Sequence, residues 1–127
     1  MISVIAVLLA FSKSHAGPAR ICDYVVGFGS LCCGPDTHQI EQLENYLKAN
    51  PDLIRADSRS RGKEGEKEYC LHVKNHGDLL AVKAHLTRIV SLKSKKPDVP
   101  AGGLVDCFAP KPSPVCRDSD WMVGKPK

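Results

Sequence analysis

Alternating apolar positions near the start of the chain predict a first strand. In residues 21–33, Tyr24, Val26 and Phe28 occupy every second position and would share one face of an extended chain. Pro35 follows this segment, and proline interrupts a strand because it has no backbone N–H to donate. The pattern therefore predicts a strand followed by a turn.

Helical spacing of apolar residues predicts a helix over Thr37–Ala49. Asp36 is positioned to cap its first turn, and Gln39 lies three residues later, as in a capping box. Asn50 and Pro51 end the helix, because proline disfavours helical geometry in the residue before it. The stripe that would face the core contains Ile40, Leu43 and Leu47.

The middle of the chain predicts a hairpin whose arms are residues 53–60 and 66–74. Charged residues alternate along one side of the first arm, namely Arg55, Asp57, Arg59 and Arg61. Glutamates alternate along the returning side, namely Glu64, Glu66 and Glu68. A register that sets these charges opposite each other pairs arginine with glutamate across the strands. Because the first arm has few apolar residues, we expect it at a sheet edge.

A second helix is predicted over residues 79–93, with Asp78 as its N-cap. Its core-facing stripe contains Leu79, Val82, Leu86, Ile89 and Val90, and Leu92 extends it. From Pro97 onward the composition changes, because six of the nine prolines lie in this part of the chain. Apart from a short extended piece near residues 104–108, the C-terminal segment is therefore expected to contain neither a helix nor a central strand.

The order of these elements is β-α-β-β-α, which predicts an α+β fold: a small antiparallel sheet with two helices on one face. A fourth strand within residues 102–108 would extend the order to βαββαβ, the order of the ferredoxin-like arrangement. The predicted domain organisation is a signal peptide over residues 1–16, an α+β domain over residues 17–97, and a proline-rich C-terminal segment over residues 98–127 that disulfides hold in place.

The first sixteen residues are typical of a secretory signal peptide. Residues 2–11 are apolar apart from Ser3, and Ser14 and Ala16 are small residues two positions apart, as a signal peptidase site requires. This apolar run is too short to span a bilayer, which needs about twenty residues. We therefore predict a secreted or periplasmic protein without a membrane span after cleavage.

Every cysteine follows the predicted cleavage site, and an even number of cysteines in an exported chain indicates disulfide bonds. The six are Cys22, Cys32, Cys33, Cys70, Cys107 and Cys116. Cys32 and Cys33 are adjacent on an extended segment, so their side chains would point to opposite faces and bond to different partners. Cys70 is a candidate partner for Cys22 or for either of the adjacent cysteines. The last two cysteines would attach the C-terminal segment to the domain or to itself.

The main functional hypothesis is a non-enzymatic protein that binds another exported protein or macromolecule, as an inhibitor or an immunity protein does. A net charge of +4 is too small to favour nucleic acid as the partner. The candidate binding residues at the hairpin tip and in the C-terminal segment are Arg59, Arg61, Lys63, Glu64, Glu66 and Trp121. Trp121, the sole tryptophan, is either an interface residue or an anchor that holds the C-terminal segment on the domain.

The alternative hypothesis is a small exported hydrolase, with a histidine-dependent nuclease as its favoured form. The general base, general acid and phosphate-binding cation would come from His72, His76, His85 and Lys74. The spacing of His72 and His76 lacks the glutamate of a metalloprotease motif, so no metal site is predicted. The sequence contains no common nucleotide-binding or hydrolase motif, and we predict no cofactor.

Overall fold

The computed structural model describes residues 20–29, 37–61, 66–92 and 102–121. Within these ranges the helices and strands are, in chain order, β1 (Tyr24–Phe28), α1 (Thr37–Ala49), β2 (Ile54–Arg61), β3 (Glu66–Val73), α2 (Leu79–Val90) and β4 (Gly103–Asp106). Short 3-10 turns lie at His76–Asp78, Pro114–Arg117 and Ser119–Trp121. The first turn leads into α2, and the other two belong to the C-terminal segment.

The four strands form one antiparallel sheet in the order β2-β3-β1-β4. β1 pairs with β3 on one side and with β4 on the other, so two β-α-β units interleave. Together with the chain order βαββαβ, this strand order is the ferredoxin-like arrangement. The predicted α+β class and the fourth strand are thereby confirmed, and β2 lies at a sheet edge, as its polar sequence indicated.

Both helices cover the same face of the sheet. Tyr24, Val26 and Phe28 of β1 belong to one buried cluster with Leu43 of α1 and Leu86 of α2. Removing these apolar side chains from water is the main favourable contribution to folding of the domain. The alternation in β1 and the stripes of both helices therefore meet in the principal core, as predicted.

The C-terminal segment covers the opposite face of the sheet. A second buried cluster consists of Cys22, Val25, Cys70, Cys107, Cys116 and Trp121. It contains two disulfides, Cys22–Cys70 and Cys107–Cys116. The first disulfide connects two parts of the α+β domain, and the second lies within the C-terminal segment. Both match pairings that the sequence left open.

The hairpin has the register that its charges indicated. Arg59 lies opposite Glu68, and Arg61 lies opposite Glu66. The side chains of Arg59 and Glu68 form an ion pair with a distance of 2.9 Å between Nε and Oε1. Opposite charges directly across two strands contribute modestly to pairing, which is the contribution expected at a polar edge.

The predicted cap of α2 differs from the structure. Asp78 precedes α2, but its side chain makes no capping hydrogen bond. Instead, the Asn75 side chain accepts a hydrogen bond from the backbone two residues later and caps the 3-10 turn that leads into α2. The predicted capping box of α1 stays a prediction, because Asp36 lies outside the described residues. The fully buried side chain of Gln39 bonds to backbone groups beyond α1.

Element ends also differ slightly from the predictions. α2 ends at Val90 rather than at residue 93. The N–H of Ser91 still donates to the Thr87 carbonyl four residues earlier, but the N–H of Leu92 donates to the Ile89 carbonyl three residues earlier, which departs from the α-helical pattern. The predicted signal peptide, Cys32 and Cys33 lie outside the described residues. In the parts of the chain that the structure describes, no helix has the length and apolar character of a membrane span.

Candidate functional site

Two exposed apolar side chains, Leu80 and Phe108, line one depression in the surface. Among the described residues, three large hydrophobic side chains are exposed: Leu80 (81%), Phe108 (40%) and Leu92 (37%). The depression has a volume of about 270 Å³ and is lined by Tyr24, His76, Leu79, Leu80, Lys83, Asp106 and Phe108. We call this group of residues the Phe108 surface.

Leu80 is exposed because it lies off the apolar stripe of α2. Val82 and Leu86 face the sheet and are fully buried. Leu80 precedes Val82 by two residues, which places it about 200° away around the helix. Helix geometry therefore directs the large apolar side chain of Leu80 into solvent, at the start of α2.

Phe108 lies on a turn directly after β4. Its backbone N–H donates to Asp106 Oδ1 at 2.9 Å, and the N–H of Cys107 donates to the Asp23 carbonyl at 3.1 Å. The disulfide between Cys107 and Cys116 holds the same turn from the C-terminal side. These constraints hold the backbone of the turn that carries Phe108.

Three side chains surround the ring of Phe108. The guanidinium carbon of Arg20 lies 3.7 Å from the ring centroid, a distance typical of a cation–π contact. The rings of Tyr24 and His76 meet Phe108 edge to face, with centroid distances of 6.2 and 6.4 Å. The ring is therefore partly covered by its neighbours and open on its remaining side.

Polar contacts join the walls of the depression. The Tyr24 hydroxyl donates to the Leu79 carbonyl at 3.0 Å, which links β1 to the start of α2. Lys83 Nζ donates to Asp106 Oδ2 at 2.8 Å, which links α2 to β4. The hydrogen bond from Lys83 lowers the pKa of Asp106, and burial raises the pKa of the Tyr24 phenol. At neutral pH the depression thus combines an apolar centre with a charge pair at its rim.

The structure places Arg59 and Trp121, two of the predicted binding residues, in contact with each other. The guanidinium carbon of Arg59 lies 4.0 Å from the Trp121 ring centroid. Arg59 Nη1 also lies 3.1 Å from Asp118 Oδ2, in addition to its ion pair with Glu68. Burial opposes the positive charge, but the hydrogen bonds to Glu68 and Asp118 raise the pKa of the guanidinium. Arg59 thus connects β2, β3 and the C-terminal segment.

Trp121 has the geometry of an anchor. Its side chain is 3% exposed, and its Nε1–H donates to the Val115 carbonyl at 3.0 Å. Of the other predicted binding residues, Glu66 is half-buried at the start of β3. The side chain of Arg61 lies outside the part of the chain that the structure describes, as do residues Lys63 and Glu64. Partner binding by this group stays a prediction.

Two of the histidines proposed for a hydrolase lie on opposite sides of the sheet. His72 on β3 shares the face of Cys70, with 3.5 Å between its Nε2 and Asp57 Oδ2. His85 on α2 stacks on Tyr46 of α1, with a centroid distance of 3.8 Å. Burial and a neighbouring arginine lower the pKa of both histidines. The sheet separates the two imidazoles, so they do not form one acid–base pair.

The remaining candidates for that chemistry have other contacts. His76 adjoins Phe108, and Lys74 Nζ donates to the Pro51 carbonyl at 2.9 Å. Across the described ranges, no group of three or more His, Cys, Asp or Glu side chains is arranged to hold a metal ion. The four residues proposed for a hydrolase therefore share no described contact with one another.

Sequence reasoning overlooked Leu80 and Phe108, although the first carries a readable signal. Leu80 adjoins the stripe of α2 without sharing its spacing, so its exposure follows from the helical period. The position of Phe108 beside Arg20 and Tyr24 depends on the pairing of β1 with β4. Spacing along the chain does not reveal such contacts between distant segments.

Comparison with known proteins does not indicate a function for this surface. The chain matches no protein-family model, and no curated protein or solved structure is significantly similar to it. The interpretation of the Phe108 surface therefore rests on its contacts, exposure and charge.

Proposed function

We propose that this protein is an exported, disulfide-stabilised, non-enzymatic protein that binds another protein molecule through the Phe108 surface. The observation that carries the proposal is the exposure of Leu80 and Phe108 around one depression. Exposed apolar side chains that adjoin one another inside a polar rim are typical of protein interaction sites. The two disulfides are consistent with an oxidising compartment, either extracellular or periplasmic.

Paired charges at the rim favour a protein partner over nucleic acid. Lys83 bonds to Asp106, and Arg20 Nε lies 3.3 Å from Asp23 Oδ1. Nucleic acid is bound by cations that are free to replace counterions on phosphates, and these two cations already have carboxylate partners. An inhibitor-like or immunity-like role is one specific form of this proposal, in which the partner is an exported enzyme.

Site-specific photocrosslinking in the native host tests the proposal. A benzophenone amino acid is introduced at Leu80, and the matched control carries it at Leu92, an exposed leucine that does not line the depression. We expect a crosslinked protein adduct from position 80 and little or none from position 92. Equal crosslinking at the two positions, or none at position 80, would show that the Phe108 surface is not a protein contact.

A further inference from the structure

We propose that the outer edge of β2 is a second interaction surface, which binds an extended segment of another protein as an added strand with a carboxylate opposite Arg55. β2 and β4 are the two edge strands of the sheet, and the Phe108 surface adjoins β4. The two surfaces are therefore separate, and this inference goes beyond the function proposed for the Phe108 surface.

The hydrogen bonds of the hairpin determine which backbone groups of β2 face outward. β2 pairs with β3 along its whole length without a bulge. One step before this ladder, the Lys74 N–H donates to the Leu53 carbonyl at 3.0 Å. Hydrogen-bonded and non-hydrogen-bonded pairs alternate in an antiparallel ladder, so the odd-numbered residues of β2 bond to β3. The even-numbered residues point their N–H and C=O groups outward, and the Ile54 N–H accordingly donates to the Asn50 carbonyl at 3.1 Å.

The outward backbone groups of Ala56, Ser58 and Ser60 form the proposed binding edge. Within the described ranges, β2 pairs only with β3, and no backbone hydrogen bond engages these outward groups. All three side chains are small and exposed, so they leave the backbone accessible. Alternating N–H and C=O groups along a strand edge match the backbone of another extended chain, which is the basis of recognition by strand addition.

Arg55 supplies the charge that selects the added strand. Its side chain is exposed, and none of the ion pairs between described residues includes it. The two other described charges on this face of β2 have neighbours within the chain. Asp57 Oδ2 lies 3.5 Å from His72 Nε2, and Arg59 forms its ion pair with Glu68. A carboxylate opposite Arg55 on an added strand therefore makes a favourable cross-strand contact.

NMR titration of the nitrogen-15-labelled, disulfide-intact protein with a designed peptide tests the inference. The probe is a capped octapeptide in which valine alternates with threonine and glutamate replaces one central threonine. The matched control peptide carries lysine in place of the glutamate. We expect the amide signals of Ala56, Ser58 and Ser60 to shift, and the glutamate peptide to bind about fivefold more tightly than the lysine peptide. Arg55→Met should abolish this difference between the peptides.

Two further changes test the contribution of the backbone. Ser58→Pro removes an outward N–H without removing a bond to β3, and should weaken peptide binding by roughly tenfold. Ser58→Val changes the side chain but keeps the N–H, and should leave binding within about twofold of the wild-type value. Circular dichroism verifies that both variants are folded. A glutamate peptide with N-methyl groups at alternate residues, on the side that would bond to β2, should not bind the unaltered protein.

The absence of amide shifts in β2 would overturn the inference, as would equal binding of the N-methylated and unmodified peptides. Slow hydrogen exchange of Ser58 and Ser60 in the protein alone would also contradict it. Protection that does not depend on protein concentration would assign the edge to other residues of this chain, and protection that rises with concentration would assign it to a second copy. Crosslinking at Leu80 is measured separately, so failure of peptide binding at β2 leaves the function proposed for the Phe108 surface intact.

Discussion

Gln39 places a primary amide in the core, where its polar atoms must find partners within the protein. Its side chain is fully buried, and Nε2 donates to the Leu92 carbonyl at 2.6 Å. Its Oε1 accepts a hydrogen bond from the Gly102 N–H at 2.9 Å. One side chain thus connects α1, the chain after α2 and the chain before β4. An unpaired buried polar group costs about 1–3 kcal/mol, so this amide has a large effect on stability.

We predict that Gln39→Leu lowers the free energy of unfolding by roughly 2–4 kcal/mol, because it leaves the Gly102 N–H and the Leu92 carbonyl without these partners. Urea denaturation measures the change. Gln42→Leu on the same helix is the matched control, and a half-buried residue outside such contacts should change stability by less than about 1 kcal/mol. Similar losses in the two variants would contradict the role assigned to Gln39.

Glu44 and Tyr69 form a pair whose effect depends on pH. The Tyr69 hydroxyl donates to Glu44 Oε2 at 2.6 Å, and Lys67 Nζ lies 3.4 Å from the same oxygen. The hydrogen bond from Tyr69, followed by the charge of Lys67, lowers the pKa of Glu44 below its ordinary value. A carboxyl group whose pKa is lower in the folded state than in the unfolded chain stabilises the folded state at pH values above the ordinary glutamate pKa. This stabilisation is lost as the pH falls through the folded-state pKa.

We predict that Tyr69→Phe raises the pKa of Glu44 towards its ordinary value. The difference in stability between wild type and variant should be larger at pH 7 than in acid, where Glu44 is protonated in both. Carbon-13 NMR titration of the Glu44 carboxyl measures the pKa directly. Tyr46→Phe, on the same helix as Glu44, should leave that titration unchanged, and a shift of equal size there would contradict the assignment.

At the scale of elements, the predictable features were those that depend on local periodicity. α1 was predicted at its observed bounds, because its apolar stripe and Pro51 are both local signals. The edge position of β2 also followed from its polar composition. The cap of α2 was less predictable, because Asn75 rather than Asp78 bonds to the backbone of the turn that leads into the helix.

Arg59 provides a test of how the C-terminal segment attaches to the sheet. It stacks on Trp121 and contacts Glu68 and Asp118, so it joins two strands to the segment. We predict that Arg59→Met lowers stability by roughly 1–3 kcal/mol and makes Trp121 more accessible to acrylamide, because these carboxylates lose their cation. Fluorescence quenching reports on Trp121 alone, since it is the only tryptophan.

Arg55→Met is the matched control for this prediction. Arg55 lies on the same strand and the same face as Arg59, four residues earlier, but is exposed. Its replacement should change stability by less than about 0.5 kcal/mol and leave the quenching of Trp121 unaltered. If both variants increased quenching equally, Arg59 would not be the residue that holds the segment.

At the scale of the whole molecule, the sheet lies between two different coverings. Helices bury one face with aliphatic and aromatic side chains, and the C-terminal segment buries the other with disulfides and Trp121. The class of the fold was predictable because periodicity and element order suffice for it. The disulfide pairing and the Phe108 surface were not, because both depend on which strands become neighbours.

The two disulfides within the described residues should contribute unequally to stability. The Cys22–Cys70 bond closes a sequence separation of 48 residues, whereas the Cys107–Cys116 bond closes one of 9. If a disulfide acts by restricting the unfolded chain, the disulfide that closes the longer loop stabilises the protein more. The expected contributions to the free energy of unfolding are about 4 kcal/mol for the longer loop and about 3 kcal/mol for the shorter one. We predict that Cys22→Ala with Cys70→Ala is more destabilising than Cys107→Ala with Cys116→Ala, as measured by urea denaturation.

The two double variants are matched to each other. All four cysteines are buried in the same cluster, and each variant removes two sulfur atoms from it, so the loss of packing is similar. The difference between the variants therefore isolates the effect of loop length on the unfolded chain. The opposite order of stability would mean that the short disulfide acts mainly on the folded state. In that case its main effect would be to hold the C-terminal segment, with Phe108 and Trp121, against the sheet.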